Sequence, residues 1–313
     1  MSRDDLIRSI IDSMNSLREF RESEREWAYN AALSHPEFKA LEDERRELIK
    51  EIASDTFNGL IADEKQANYD KIVCKLKELS ARMDIDPFHI QYDCPVCKDT
   101  GHTNGKICAC VKQTLFEKLR KLSGIDNKLF YTFEMHSEAL FKGTSQEKRI
   151  NNLYTFLKKY SADFPDVKHL NITLSGGTGT GKTFALTALA NAVIEKGFMT
   201  CYLTAFDMHN AFMKYHISPL DEKSLYLDNL LNADLLVIDD LGTEPVFKNV
   251  TLEYLYLLIT ERTKRVLATC ISTNLQPDGI IDRYGQRIFS RLMDKSNSLL
   301  IDMNGDDLRL LKR

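Results

Sequence analysis

A chain of 313 residues with 43% hydrophobic content can build one domain with appendages or two domains. It has no apolar run near the roughly 20 residues of a membrane span, and its start, MSRDDLIRSI, lacks signal-peptide anatomy; the expected setting is the cytoplasm, with no membrane partner. The formal net charge of −4 hides an asymmetry, since residues 1–93 hold 14 Lys and Arg against 21 Asp and Glu while the remainder is mildly basic, so the N-terminal part suits a protein partner better than nucleic acid.

The N-terminal part reads as helix. Leu6, Ile10, Met14 and Leu17 recur at helical spacing over residues 3–33, with Trp27 further on, until His35-Pro36 breaks the run. A second helix is predicted from Phe38, Leu41, Leu48, Ile49 and Ile52, and a third from Tyr69, Ile72, Leu76, Leu79 and Met83. Three amphipathic, charged helices make a bundle or coiled hairpin, either spent on packing one another or with a stripe left for a partner helix.

Asp86-Pro87 closes this region and CPVCKDTGHTNGKICAC follows. Cys94 and Cys97 form a knuckle whose thiolates can face one tetrahedral ion, and Cys108 and Cys110 return a second pair after a glycine-containing turn. Four soft thiolates suit structural Zn²⁺, with an iron–sulfur cluster as the alternative and His102 as a possible replacement for one thiolate. Cys74, Cys201 and Cys270 stand alone in apolar patterns and read as buried thiols; an odd total of seven without a secretion signal argues against a disulfide framework.

From Val111 to about Phe164 the pattern is helix, loop, helix, with Leu115, Leu119 and Leu122, a turn at Ser123-Gly124, then Leu153, Phe156 and Leu157. Next stands NITLSGGTGTGKTFALTALA, a β-prone run, a glycine-rich turn and a helix. Gly176, Gly177, Thr178, Gly179, Thr180 and Gly181 form a loop whose backbone N–H groups can turn inward around an anion, at a helix start whose dipole favours negative charge. Lys182 then reaches the β- and γ-phosphates of ATP, and the Thr183 hydroxyl is a Mg²⁺ ligand.

A strand over Thr200 to Leu203 and a helix over Ala205 to Tyr215 lead to a polar, Leu-rich insertion, Ser218 to Asn232. LLVIDDLG then predicts a buried parallel strand with Asp239 and Asp240 at its C-terminal edge, a Walker B pattern in which Asp239 holds Mg²⁺ through water and Asp240 orients the attacking water. A helix over Leu252 to Thr263 and a strand over Val266 to Ser272 bring Asn274 to the tip of a strand expected between the two Walker strands, as a nucleotide sensor or a plain turn asparagine. Arg287 and Arg291 lie four apart on one helical face, as surface residues or as an arginine finger, and a last strand covers Ser298 to Met303.

With GGTGTGKT, LLVIDDLG, STN and SRL in this order and spacing, residues from about 145 to 313 resemble the AAA+ ATPases of the DnaC/DnaI helicase-loader and IstB transposition-ATPase group. The cysteine module and acidic helical arm resemble the N-terminal part of the DnaI-type loaders. The resemblance implies an α/β P-loop AAA+ core on a five-stranded parallel sheet without a full lid domain, preceded by an α-helical N-terminal domain with a zinc module. The expected division is 1–85 for partner binding, 86–122 for the zinc module and following helix, 123–144 as linker and 145–313 as ATPase. It further implies a protein that binds the replicative hexameric DNA helicase and uses ATP to place it on single-stranded DNA, self-associating into a ring or spiral. Asp240, Asn274 and Arg291 take catalytic roles, Arg287 is the second choice for the finger, and Arg309 can stand in for the second sensor arginine.

Two features depart from the general AAA+ pattern: Asp240 stands where many such enzymes carry Glu, and the stretch after Met303 is short for a helical lid. Single-stranded DNA contact is expected at the insertion, through Lys214 and Lys223 with Tyr215 and Tyr226 as stacking rings, although its leucines can equally pack on the sheet. An IstB-like ATPase serving a transposase is the alternative function. A small-metabolite kinase would need an acceptor pocket and a mobile Arg-rich lid, and the sequence after Asn274 offers neither.

Overall fold

The structure, a computed structural model, describes residues 3–60, 63–126, 130–136 and 146–308. The chain divides into two compact units, Ile7–Val111 and a second made of the residues up to 6 with those from 112 onward.

The first unit is built on α1 (Arg3–Leu33), α2 (Pro36–Phe57) and α3 (Asp63–Arg82). Pro36 sits at the first helical position, where its missing N–H costs nothing. Ala32, Phe38, Ile72, Leu76 and Leu79 form the core, and Phe38 stacks on Phe88 at 6.1 Å. Cys74 is exposed, contrary to the buried thiol expected: the inward stripe of α3 runs Ile72, Leu76, Leu79, and two residues past Ile72 is the far side of a 3.6-residue turn. Glu42 is fully buried, yet it is paired by a forked Arg45 (two contacts of 2.7 Å) and the Tyr29 hydroxyl, which satisfies its charge. Leu17, Phe20 and Trp27 share one face of α1 and stay exposed, Trp27 at 73%. Two short strands, β1 (His102–Thr103) and β2 (Lys106–Ile107), pair antiparallel before α4 (Ala109–Leu122).

The second unit holds a parallel sheet of five strands, β3 (Asn171–Ser175), β4 (Thr200–Thr204), β5 (Leu235–Leu241), β6 (Ala268–Thr273) and β7 (Ser298–Asp302), in the order β4-β5-β6-β3-β7. Its helices are α5 (Glu147–Asp163), α6 (Lys182–Glu195), α7 (Ala205–Ile217), α8 (Ser224–Asn232), α9 (Glu253–Lys264) and α10 (Pro277–Leu292). Leu235, Leu236, Val237 and Ile238 are wholly buried, which is why β5 reads as an unbroken apolar run. β6 starts two residues later than the sequence suggests, because Val266 takes a left-handed φ of 58° and bonds back to Thr263 in the turn after α9. Among the described residues, no helix follows β7 and no helix is long and apolar enough to cross a membrane.

The insertion folds as α8, with Leu227 and Leu230 in the core. Arg262 secures it: this fully buried guanidinium donates to the carbonyls of Leu230 (2.7 Å), Ala233 (2.9 Å) and Ala268 (2.6 Å) and to the Thr269 hydroxyl (3.0 Å). Every buried donor so paired is spared the cost of an unmade hydrogen bond.

Candidate nucleotide-binding site and metal centre

β3 lies between β6 and β7, so the turn leaving its C-terminal end opens beside the tips of both neighbours, the place where open α/β sheets receive ligands. Gly179 and Gly181 have φ of +72° and +92°, and Gly181 caps the start of α6; side chains there would strain the loop. Gly177 and Thr178 are exposed at its crest, Gly176 is buried beneath it, and the Thr180 hydroxyl donates to the Gly177 carbonyl at 3.1 Å. Lys182 turns its ammonium back across the loop, donating to the carbonyls of Gly176 (2.8 Å) and Gly177 (2.6 Å) and to Asn274 Oδ1 (2.8 Å). Asn274 therefore meets the loop lysine directly, from a strand tip between the two Walker strands.

Asp239 is 5% exposed and collects three hydroxyl donors. Thr183 donates to Oδ1 at 3.3 Å, Ser272 of β6 donates to the same oxygen in a shorter bond, and Tyr202 of β4 donates to Oδ2 at 2.9 Å. Burial, reinforced by the Asp239 charge, pushes the Tyr202 phenol up, so it stays protonated and donates. The Thr183 hydroxyl and Asp239 carboxylate thus converge as an all-oxygen pair of the kind Mg²⁺ takes.

Asp240 follows at a register shift between Ile238 and Leu241, with a left-handed φ of 57° and its N–H donated to Ser272 Oγ at 2.7 Å. This irregularity separates its side chain from the regular alternation of β5, the use to which bulges near active sites are put. Beyond it, buried Glu244 accepts the Gly242 N–H (2.9 Å) and the Tyr284 hydroxyl, tying the end of β5 to α10.

Arg287 and Arg291 are both exposed on α10, and the structure gathers them over Tyr256 of α9, with guanidinium carbons 3.7 and 5.9 Å from the ring centre. Arg287 also approaches Glu253 at 4.0 Å. Hydrogen bonds from Arg291 and then Arg287 pull the Tyr256 phenol down to about 8. Arg309 lies outside the described residues. In the insertion, Lys214 is exposed, Lys223 lies 5.2 Å over the Tyr215 ring and Tyr215 packs edge-on against Tyr254, while Tyr226 is half-buried; Ile217, Leu220 and Leu225 are exposed.

In the first unit the four sulfurs of Cys94, Cys97, Cys108 and Cys110 all lie within 4.8 Å of one another. The Cys94–Cys108 and Cys97–Cys110 separations are 3.9 and 3.6 Å, and a tetrahedron with Zn–S bonds of about 2.3 Å has edges of about 3.8 Å. The space among these sulfurs matches one ion and is too small for a cluster of several irons with bridging sulfides. Burial pushes the Cys97 and Cys110 thiols up, so a cation is what would make them thiolates. Buried Asp99 braces the knuckle by accepting the N–H groups of Asp93 (2.9 Å) and Cys94 (2.8 Å) and pairing with Arg21 at 3.1 Å. His102 is exposed, its Nδ1 3.3 Å from the Thr100 carbonyl, outside the sulfur group.

The family model for IstB-like ATP binding proteins matches residues 143–312, more than half of the chain. The chain belongs to that family. Its fold is the P-loop AAA+ fold expected from the sequence, preceded by a helical part and a four-cysteine cluster able to hold zinc. Among relatives of this IstB-like protein, the phage-like element PBSX protein XkdC of Bacillus subtilis (strain 168) is 26% identical over 234 residues, covering 69% of this chain and 84% of that protein. The replicative helicase loader DnaC of Escherichia coli (strain K12) is 29% identical over 161 residues, covering 50% of this chain and 63% of DnaC, so the match spans less than two thirds of that relative. Crystal structures of DnaI and of the DnaC helicase loader align at TM-scores of 0.45 and 0.46 with 19% and 22% identity, over 59% and 56% of this chain and 95% and 99% of theirs.

The sequence reading of this IstB-like chain missed Tyr202 and Ser272, although Ser272 stands in the STN triplet singled out for Asn274. Tyr202 carried no sequence signal of its own: it meets Asp239 through the pairing of β4 with β5, in which Thr204 is in register with Asp239 and Tyr202, two residues earlier, shares its face.

Proposed function

We propose that this protein is an ATP-dependent loader of the replicative DNA helicase, working in the cytoplasm during replication initiation or restart. In this reading residues 145–313 bind and hydrolyse ATP, 86–122 are a zinc module, 123–144 a linker, and 1–85 bind the hexameric helicase. The observation that carries it is the pairing of a complete phosphate-loop site with a four-sulfur module and an acidic helical unit whose Leu17, Phe20 and Trp27 stripe is exposed.

Gly176 to Gly181 cradle the phosphates and Lys182 neutralises them. Thr183 and Asp239 would hold Mg²⁺, which would supply charge neutralisation of the phosphates. Asp240 orients the attacking water, Asn274 contacts the terminal phosphate, and Arg291 of one copy completes the site of the next in a ring or spiral. Both arginines engage Tyr256, and Arg291 is preferred because Arg287 also faces Glu253 at 4.0 Å. Single-stranded DNA meets the insertion, where Lys214 stands exposed beside α8.

The family match favours a second reading, an ATPase that assists a DNA transposase. Size-exclusion of full-length protein with the hexameric helicase of its host tests the choice. Co-migration that Trp27→Ala weakens supports the loader; co-migration with a transposase and not the helicase supports the alternative.

A further inference from the structure

The segment after β7 runs back onto the phosphate loop. The Met303 N–H donates to the Ser175 carbonyl at 2.6 Å, and a side chain on Gly176 would meet the Met303 backbone. Arg149 of α5 pins the start of the segment, reaching Asp302 and the Asn304 carbonyl at 2.8 Å each, and Gln276 approaches Asn304 Oδ1 at 3.3 Å. At its far end the Leu308 N–H donates to the Gly179 carbonyl at 3.0 Å, and Leu308 Cδ1 lies 3.6 Å from where a Gly181 side chain would begin. Between these anchors the Asp307 carboxylate fills the space that a methyl group on Gly179 would need.

A carboxylate is thus seated against a loop shaped for phosphate, and it carries the same sign of charge as the ligand that loop receives. Lys182 meanwhile spends its donors on Gly176, Gly177 and Asn274. We propose that residues 303–308 form a strap, held on the phosphate loop by Asp307 and Leu308, that an incoming nucleoside triphosphate must displace. The inference rests on the loop being the ATP site. The strap lowers apparent affinity by the fraction of time it is closed, and its release reports that nucleotide has bound. Arg149 of α5 holds it through the Asn304 carbonyl, so lifting the strap breaks that bond while the ion pair of Arg149 with Asp302 of β7 stays in place.

The test uses full-length protein and two readouts. ATP affinity is measured by calorimetry with Mg²⁺ for the parent and for Lys182→Ala, which establishes the site before the strap is touched; a parent that binds no ATP overturns the reading beneath the proposal as well. Asp307→Ala should then bind ATP about tenfold more tightly, with Asp307→Asn between it and the parent and Arg149→Ala moving in the same direction. Hydrogen exchange supplies the second readout, since ligands ordinarily slow exchange near their sites, whereas here ATP should speed exchange of the Met303 and Leu308 amides. A parent that binds ATP normally, with Asp307→Ala and Arg149→Ala no tighter and those two amides slowed, overturns the strap. Weaker binding by Asp307→Ala overturns it too, and makes Asp307 a group that contacts the nucleotide.

Discussion

Tyr202→Phe removes one oxygen from the Asp239 clamp and leaves the ring in place. The lost bond is a 2.9 Å donor to a buried carboxylate, and Oδ1 keeps Ser272 and Thr183 while Oδ2 loses its hydroxyl. Hydrogen bonds to charged groups contribute about 1.5–3 kcal/mol, and a buried acceptor left unmade costs a similar amount, so the variant should be about 2 kcal/mol less stable. For a unit of this size that is a fall in Tm of roughly 4–8 °C, read by thermal melting without Mg²⁺. The functional consequence falls on metal response: a carboxylate no longer held by its outer partner should need about tenfold more Mg²⁺ for half-maximal ATP turnover. A Tyr202→Phe protein that melts with the parent and titrates with Mg²⁺ as the parent does would refute the clamp.

Asp239→Asn should lose Mg²⁺-dependent turnover, whereas Asp240→Asn should keep ATP bound unhydrolysed; single-turnover assays with equal hydrolysis by both would remove the distinction drawn between them. Cys97→Ser should cut the zinc content from about one ion per chain towards none and loosen the knuckle, because the four sulfurs that meet within 4.8 Å let one bound ion tie the two ends of this loop together; elemental analysis that finds iron, or unchanged zinc, contradicts this. Arg291→Ala should retain ATP affinity and lose helicase-stimulated turnover by on the order of 10³-fold, with activity returning when it is mixed with Lys182→Ala chains. The same substitution should raise the Tyr256 phenol from about 8 towards its ordinary 10, because the cation that stabilises the phenolate above pH 8 is gone; an unchanged ultraviolet titration would separate the two groups.

The parts legible in the sequence were those whose physics is local. The glycine loop had to be spelled as it is because Gly179 and Gly181 need positive φ, and β5 had to be continuously apolar because both of its faces are covered. The parts that were not legible depend on strands far apart in the chain. Tyr202 and Ser272 reach Asp239 only because β4 and β6 flank β5, and neither has a local pattern that says so. The register shift at Asp240 and the left-handed Val266 break their strands without glycine or proline to announce it. Cys74 was misplaced for a simpler reason: an apolar neighbourhood in sequence contains both faces of a helix, and only the i, i+4, i+7 stripe is inside.

The central claim is that ATP held by this phosphate loop drives placement of a helicase ring on single-stranded DNA. It is tested most directly by unwinding of a forked DNA whose single strand is coated with binding protein, using the host's hexameric helicase with and without this protein. The account predicts that unwinding appears only when the protein and ATP are both present, and that Lys182→Ala abolishes it. Unwinding that is indifferent to the protein, or fully supported by Lys182→Ala, would contradict it.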